Sequence, residues 1–162
     1  MPDAPAYRIA KATGSPELAA ITENLLAALP NWFGIPEANA EYVAAATRLP
    51  GHVAHAGDDA VGILLCERHF PESAEIHLLA VDPTWHRKGI GRALVDALVD
   101  ELRPTGCRLL QVKTLGPGRP DAGYARTREF YRAVGFLPLE ELAELWPGNP
   151  CLIMVRALVR AE

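Results

Sequence analysis

The chain has 162 residues, which is the size of one ordinary domain. Hydrophobic residues make up 49% of it and charged residues 22%, and this composition excludes a disordered chain. The formal net charge of −4 disfavours nucleic acid as a partner, because nucleic-acid binders usually carry a basic domain or stripe. We therefore expect one folded domain that covers residues 1–162.

The cysteines and the apolar runs bear on the cellular compartment. Cys66, Cys107 and Cys151 each stand among apolar neighbours, no pair has metal-site spacing, and an odd number disfavours a disulfide framework. They read as buried thiols in a reducing compartment, with no metal. The N-terminal sequence MPDAPAYRIA lacks the features of a signal peptide, and no apolar run approaches the roughly 18 residues of a membrane span. We expect a cytoplasmic protein without a membrane partner.

The first half of the chain predicts a strand, two helices and three more strands. A strand covers Tyr7–Ala10, and Ser15 with Pro16 begins a helix that ends at Pro30. A second helix covers Glu37–Thr47. Short turns rich in Gly, Asp and Pro then separate three strands, His52–Ala56, Ala60–Glu67 and Ala74–Val81.

The second half alternates helices with strands. A helix runs from Gly89 to Leu102 with its apolar residues on one stripe, and another covers Ala122–Val134 before Gly135. The predicted strands of this half are Arg108–Thr114, Phe136–Leu139 and Leu152–Leu158. The order β-α-α-β-β-β-α-β-α-β-β has strands in runs with few helices between them. It predicts a mixed α/β sheet of the α+β kind rather than a doubly wound parallel sheet.

The most informative segment joins the strand that ends at Val81 to the helix that begins near Gly89. Gly89 and Gly91 allow a ligand to approach a helix N-terminus, where N–H groups without partners carry a partial positive charge. Three cations stand in the same turn, Arg87, Lys88 and Arg92. The segment lacks the Ser or Thr of a P-loop, and Leu94 stands where a dinucleotide fingerprint has glycine. A pyrophosphate fits this place, and the alternative is an ordinary helix start with a solvated basic turn.

Three segments resemble the GNAT superfamily of acyl-CoA-dependent N-acyltransferases. The loop His86–Gly91 is similar to the family pattern of Gln or Arg, two residues, Gly, one residue, then Gly or Ala, with His86 at the Gln/Arg position. The segment Arg128–Phe136 is similar to the helix that carries an aromatic residue and Tyr, followed by Gly-Phe. Ala74–Pro83 is similar to the fourth strand of the family. With the order of elements, the resemblance covers nearly the whole chain.

The resemblance implies the GNAT acyltransferase fold and acetyl-CoA as acyl donor, with its pyrophosphate on the backbone amides of the loop. The residues that it implies for binding acetyl-CoA are Leu79, Val81, His86, Arg87, Lys88, Gly89, Ile90, Gly91 and Arg92. Tyr124 stands where many relatives have an Asn that contacts the pantetheine arm, so we do not transfer that contact.

The same resemblance implies two catalytic residues. Glu75 corresponds to an acid that removes the amine proton, often through water, and burial would raise its pKa toward a useful range; the alternative is a surface glutamate. His77 shares the face of Glu75 and is open as base, as partner of Glu75 or as a packed imidazole. Tyr131 corresponds to the acid that protonates the departing CoA thiolate, and the alternative is a core aromatic residue beside Phe130 and Phe136.

The acceptor side is less specific. Trp32 and Phe33 lie in the loop between the first two helices and either wall an acceptor pocket or seal the core. We read the segment Glu140–Trp146 as an insert before the last strand. Its three acids suit a cationic amine, although such acids are more often plain surface charge.

The sequence therefore predicts an enzyme, an N-acetyltransferase that moves an acetyl group from acetyl-CoA to a primary amine of a small molecule or a protein. A non-catalytic module of the same fold that senses acyl-CoA is the alternative, and the presence of Glu75 and Tyr131 favours the enzyme. A nucleotide-binding domain without CoA is a distant third. Homodimers are common in the family, so a homodimer is a further expectation, although no segment indicates an interface.

Overall fold

The computed structural model describes residues 6–159, and its elements follow the predicted order. The ends of the predicted domain, residues 1–5 and 160–162, lie outside this range. The strands and helices are β1 (Arg8–Ala12), α1 (Pro16–Ala27), α2 (Pro36–Ala45), β2 (Gly51–Ala56), β3 (Asp59–Phe70), β4 (Ser73–Val81), α3 (Ile90–Leu102), β5 (Leu109–Leu115), α4 (Ala122–Ala133), β6 (Leu137–Trp146) and β7 (Asn149–Ala157). Short 3-10 turns at Pro83–Trp85 and Arg103–Thr105 flank α3.

The strands form a seven-stranded mixed sheet in the order β1-β2-β3-β4-β5-β7-β6. β4 and β5 are parallel, with Ser73 opposite Leu109 and Ile76 opposite Val112. The pairs β1/β2, β2/β3, β5/β7 and β6/β7 are antiparallel. Parallel neighbours need a crossover connection, and α3 lies in the connection between β4 and β5. The mixed sheet confirms the predicted fold class.

The chain divides into two compact units. The first contains the described residues up to Cys66 together with Leu78–Asp100, and its apolar core includes Leu25 and Ile63. The second contains Glu67–His77 and the described residues from Glu101 onward, with Phe136 and Met154 fully buried. The reading of residues 1–162 as one domain stays a prediction.

The start of α1 follows the capping signal in the sequence. Ser15 has an extended backbone, its side chain accepts a hydrogen bond of 3.0 Å from the N–H of Leu18, and Pro16 is the first helical residue. Leu18, Leu25 and Leu26 are buried on the inner face of the helix. The predicted N-cap is therefore confirmed, and it fixes the start of the helix that precedes the Trp32–Phe33 loop.

The segment Glu140–Trp146 is where the structure differs from our prediction. We read it as an insert, but β6 continues through it and pairs with β7 from Leu137, opposite Val155, to Trp146, opposite Asn149. The register shifts twice along this ladder. β6 lies at the edge of the sheet and is mostly exposed, so it does not need the apolar alternation that marks a strand with one buried face. Its acidic residues therefore gave no strand pattern, and we did not predict the strand there.

The three cysteines are free and buried, as predicted, and burial raises the pKa of the Cys151 thiol. Across residues 6–159, none of the helices combines the length and apolar content that a membrane crossing requires. The same part of the chain contains no group of three or more His, Cys, Asp or Glu side chains arranged to hold a metal ion.

Candidate active site

The backbone of the loop between β4 and α3 is shaped for an anion. Arg87 and Gly89 have positive φ angles of 63° and 83°, whereas Lys88 between them does not. Alternation of this kind turns successive N–H groups toward a common concavity. The carbonyl of Gly89 accepts a hydrogen bond of 3.0 Å from the N–H of Ala93, so the first turn of α3 begins here. The N–H groups of a first helical turn have no acceptor within the helix, and such groups can bind an anion.

Gly89 is required by backbone conformation rather than by space. At a φ of 83° any L side chain is strained. A Cβ atom added there would meet the Tyr7 hydroxyl at 3.5 Å, which is an ordinary contact. Ile90 is different, because its side chain is 1% exposed and packs inward. Ile90 can therefore serve a ligand only through its backbone N–H.

Contacts of the His86 and Lys88 side chains stabilise the loop between β4 and α3. The Nε2 atom of His86 lies 2.8 Å from the carbonyl oxygen of Val81, and its ring meets Trp32 edge to face at 5.9 Å. Lys88 places its Nζ atom 4.8 Å from the centre of the Trp85 ring, a cation–π contact. His86, at the position where the family has Gln or Arg, thus ties the loop to the end of β4.

Asp82 fixes the entry to the same loop. Its Oδ1 atom accepts hydrogen bonds from the backbone N–H of Thr84 at 2.9 Å and from the Thr84 hydroxyl at 2.6 Å. These bonds lower the pKa of the Asp82 carboxyl. We did not predict this cap from the sequence, although Asp followed by Pro-Thr is a typical turn signal.

Glu75 is the centre of a buried polar cluster. It is 6% exposed, and its Oε1 atom lies 2.7 Å from Nε2 of His69, 3.0 Å from Nε2 of Gln111 and 3.3 Å from Nζ of Lys113. Gln111 lies opposite Glu75 in the parallel ladder, and Lys113 is two residues further along the same face of β5. The alternative of a surface glutamate is thereby excluded.

The pKa of Glu75 differs from the prediction. Burial raises it, as expected, but the hydrogen bonds from His69 and Gln111, with the charge and hydrogen bond of Lys113, lower it by more. The net pKa lies below the usual range of a glutamate. The predicted increase is therefore wrong, because the sequence alone does not show which donors β3 and β5 bring to the carboxylate.

The histidine that bonds Glu75 is His69, not His77. Nδ1 of His77 lies 3.7 Å from Oε2 of Glu67 instead. We predicted that the strand containing Glu67 ends at that residue, whereas β3 continues to Phe70. The turn at Pro71 then brings the end of β3 back beside the start of β4. A longer strand prediction would have placed His69 near Glu75.

Tyr131 is an almost fully buried residue in the last turn of α4. It is 5% exposed, and its ring meets Phe130 at 5.2 Å and Phe136 at 5.4 Å, both edge to face. Its carbonyl accepts a hydrogen bond of 2.9 Å from the N–H of Phe136. The contacts of a core aromatic residue are thus present, and the role of its hydroxyl stays a prediction.

The remaining predicted residues lie in two places. Leu79 and Val81 are half-buried and alternate along β4 on the face that carries Glu75. Trp32 and Phe33 are half-buried and pack against the core of the first unit, and Phe33 meets Tyr42 edge to face at 5.8 Å. Trp32 and Phe33 therefore do seal the core, and their part in an acceptor pocket stays a prediction.

A shallow groove of about 430 Å³ lies along the β6–β7 hairpin. Its lining residues are Gly118, Glu141, Ala143, Gly148, Asn149 and Pro150. Oε1 of Glu141 accepts a hydrogen bond of 2.9 Å from the N–H of Gly118, and Arg119 bonds the side chain of Asn149. One of the three acids that we considered for a cationic amine thus holds the loop before α4.

Comparison with known proteins identifies the family. The model of the acetyltransferase (GNAT) family matches residues 18–136, which is well over half of the chain. The chain belongs to the GNAT acetyltransferase family, as the resemblance of its motifs predicted.

Individual relatives agree with this membership. Mycothiol acetyltransferase of Beutenbergia cavernae is 36% identical over 86 residues, which is 51% of this chain but 27% of that protein. A protein assigned to the GNAT family from Desulfovibrio desulfuricans has a TM-score of 0.77 at 25% identity, covering 94% of this chain and 100% of its own. A GNAT acetyltransferase from Elizabethkingia anophelis with acetyl-CoA bound has a TM-score of 0.70 at 16% identity, covering 94% and 99%. At that identity the last likeness concerns the fold alone.

Proposed function

We propose that this protein transfers the acetyl group of acetyl-CoA to a primary amine of a small molecule or a protein. The observation that carries the proposal is the loop between β4 and α3, where alternating φ signs at Arg87 and Gly89 and the start of α3 direct backbone donors at one anion. Family membership adds the acetyl-transfer chemistry. A protein of the same fold, from Elizabethkingia anophelis, holds acetyl-CoA in its solved structure, and this is consistent with the same donor.

In this proposal the pyrophosphate of acetyl-CoA accepts hydrogen bonds from the N–H groups of Gly89, Ile90 and Gly91. Arg87, Lys88 and Arg92 add positive charge beside it, and the half-buried Leu79 and Val81 contact the pantetheine arm. His86 contributes by holding the loop, since its ring is bonded to the carbonyl of Val81.

The chemistry explains why an acid–base pair is useful. A lysine-like amine with a pKa of about 10.4 is neutral in only roughly one molecule in 2,500 at pH 7. The amine must lose a proton before its nitrogen bonds the thioester carbon, and the C–S bond then breaks. In this proposal Glu75 is on the path of that proton, and Tyr131 protonates the leaving thiolate. Acid–base help of this kind is worth about 10²–10⁴ in rate.

A panel of amines tests the proposal. The protein is mixed with acetyl-CoA and spermidine, kanamycin, a peptide with an N-terminal alanine, or a peptide with an internal lysine. Thiol release and the mass of the acetylated product are measured. We expect amine-dependent thiol release with at least one of them, and losses of about 10²-fold or more in kcat for Glu75→Gln and for Tyr131→Phe. Glu72→Gln, at an exposed turn, is the matched control and should retain activity.

Binding of acetyl-CoA without transfer to any amine would contradict the proposal. That result would favour the acyl-CoA-sensing module instead. The acceptor side, including Trp32 and Phe33, the homodimer and the cytoplasmic location stay predictions.

A further inference from the structure

His69 links the buried carboxylate of Glu75 to solvent. It lies near the end of β3, and its Nε2 atom is 2.7 Å from Oε1 of Glu75. The side chain of His69 is 35% exposed, whereas that of Glu75 is 8% exposed. Nε2 therefore faces a fixed charge, while about a third of the same side chain is exposed to solvent.

The contacts of Glu75 determine the tautomer of His69. Gln111 and Lys113 can only donate to Oε1, and an ionised carboxylate accepts without donating. Nε2 of His69 must then carry the hydrogen of the third bond. In the neutral ring this leaves the lone pair on Nδ1, and among residues 6–159 the ring makes no hydrogen bond, ion pair or aromatic contact other than that with Glu75. The arrangement is that of a base whose orientation is fixed by an acid.

We propose that His69 is the group that takes the proton from the acceptor amine, and that Glu75 is the positioning residue that holds it. This inference rests on the proposed function and deepens it, because it replaces direct proton transfer to Glu75 with transfer to Nδ1 of His69.

The step balances without any further reactant. An N–H bond of the acceptor ammonium breaks, and an N–H bond forms at Nδ1. The neutral amine attacks the thioester carbon, the C–N bond forms and the C–S bond breaks. The second proton that this nitrogen loses passes to the departing thiolate by way of the Tyr131 hydroxyl, which ends the step unchanged. The imidazolium later releases its proton to water. During the step the carboxylate of Glu75, at 2.7 Å, compensates the positive charge on the ring.

Imidazole suits this task better than a carboxylate held by three donors. Imidazole exchanges protons between about pH 5 and 8, and a general base works best when its pKa lies near the operating pH. The donors on Oε1 hold the pKa of Glu75 below its usual range, which makes that carboxylate a weak base. Its negative charge remains useful, however, because it fixes the ring and stabilises the imidazolium.

The charged residues around His69 and Glu75 suggest a pH-dependent test that separates a catalytic role of His69 from a purely structural one. Lys113, on β5, contacts the same oxygen as His69 and opposes a second positive charge there. Arg68 is turned away, to the carbonyls of Phe70 and Pro71 and the hydroxyl of Thr105. Replacing Lys113 by Met removes that charge and should move the acid limb of the activity profile to higher pH.

The experiment measures kcat and KM against pH for the full chain, with whichever amine of the panel is turned over. For His69→Gln we expect a loss of about 10²-fold or more in kcat, an unchanged KM for acetyl-CoA and no acid limb between pH 5 and 8. Imidazole added to His69→Gly should restore part of the rate. His55→Gln, a half-buried histidine on β2, is the control and should keep both rate and profile.

The outcomes separate this inference from the proposed function. A wild-type protein that acetylates no amine overturns both. An active wild type with an equally active His69→Gln overturns the inference alone. So does a loss in the His69 variants that keeps the acid limb in place and that imidazole does not reverse, because that loss would be structural.

Discussion

Glu75 is a buried carboxylate whose charge is maintained by its neighbours. Removal of a charged group from water is costly unless hydrogen bonds and opposite charge replace the lost solvent. Here His69, Gln111 and Lys113 all contact one carboxylate oxygen. Their combined effect exceeds that of burial, so the folded protein holds a proton on Glu75 more weakly than the unfolded chain does.

This lowered pKa predicts how stability changes in acid. The unfolded carboxyl has a pKa of about 4.3. The contribution of Glu75 to the free energy of unfolding is fully present above that value and is lost as the pH falls through the lower pKa of the folded state. Urea unfolding at pH 7 and at successively lower pH should show a steeper acid loss for the wild type than for Glu75→Gln. Glu72→Gln is the control, and parallel curves for wild type and Glu75→Gln would contradict the assignment.

Single residues were predictable where a motif placed them and not where distant strands supply contacts. The motif resemblance singled out Glu75, and of the two alternatives left open for its side chain the structure shows the buried one. The direction of its pKa was not correctly predicted, because Gln111 and Lys113 lie more than thirty residues away in sequence and reach it only through the β4–β5 ladder. His69 was missed because β3 is three residues longer than its apolar pattern indicates.

Among the elements, the loop that begins α3 has the clearest mutational test. Replacing Gly89 by Ala forces an L residue to a φ of 83°, which costs about 1–2 kcal/mol. It also disturbs the alternation that directs the N–H groups at an anion. We expect Gly89→Ala to lower acetyl-CoA affinity at least tenfold in a calorimetric titration.

Gly106→Ala is the matched control for this change. Gly106 has a φ of 85° and no atom within 4 Å of an added Cβ, so its replacement carries the same backbone strain away from the loop. It should lose similar stability and keep its affinity for acetyl-CoA. Equal affinities for the two variants would show that the Gly89 loop does not hold the ligand.

The elements show which sequence patterns decide structure. Caps and glycines were reliable, as at Ser15 and at Gly135, which has a φ of 98° after α4. The strands with a buried face were found from their apolar runs. β6 was found only as far as Leu139, because an exposed edge strand needs no apolar pattern. Backbone pairing with β7, rather than burial of apolar side chains, holds β6 in place.

The molecule as a whole combines an acidic composition with a basic loop. The net charge is −4, yet Arg87, Lys88 and Arg92 stand within one turn of the start of α3. The three cations and the backbone N–H groups beside them act on a ligand at short range. The net charge of the whole chain, in contrast, is screened beyond about 10 Å at moderate ionic strength. An acidic protein can therefore still bind a polyanion such as CoA at this loop.

The order of elements was enough to predict the fold class. Runs of strands separated by few helices indicated a mixed sheet, and the structure has seven strands with a parallel pair at β4 and β5. The family was predicted from the three segments that resemble its motifs, and the family model confirms it. The acceptor could not be predicted in this way. Trp32 and Phe33 pack against the core and Glu141 of β6 holds a loop, and a sequence alone does not distinguish such structural roles from acceptor binding.

Calorimetric titration of the wild-type protein with acetyl-CoA, with ADP as the comparison ligand, is the most direct test of the proposed donor site. We expect saturable binding of acetyl-CoA at tens of micromolar or below. ADP should bind much more weakly, because it lacks the pantetheine arm that Leu79 and Val81 would contact. No binding of acetyl-CoA in that range, or equal binding of ADP, would contradict an acetyl-CoA-dependent function for this protein.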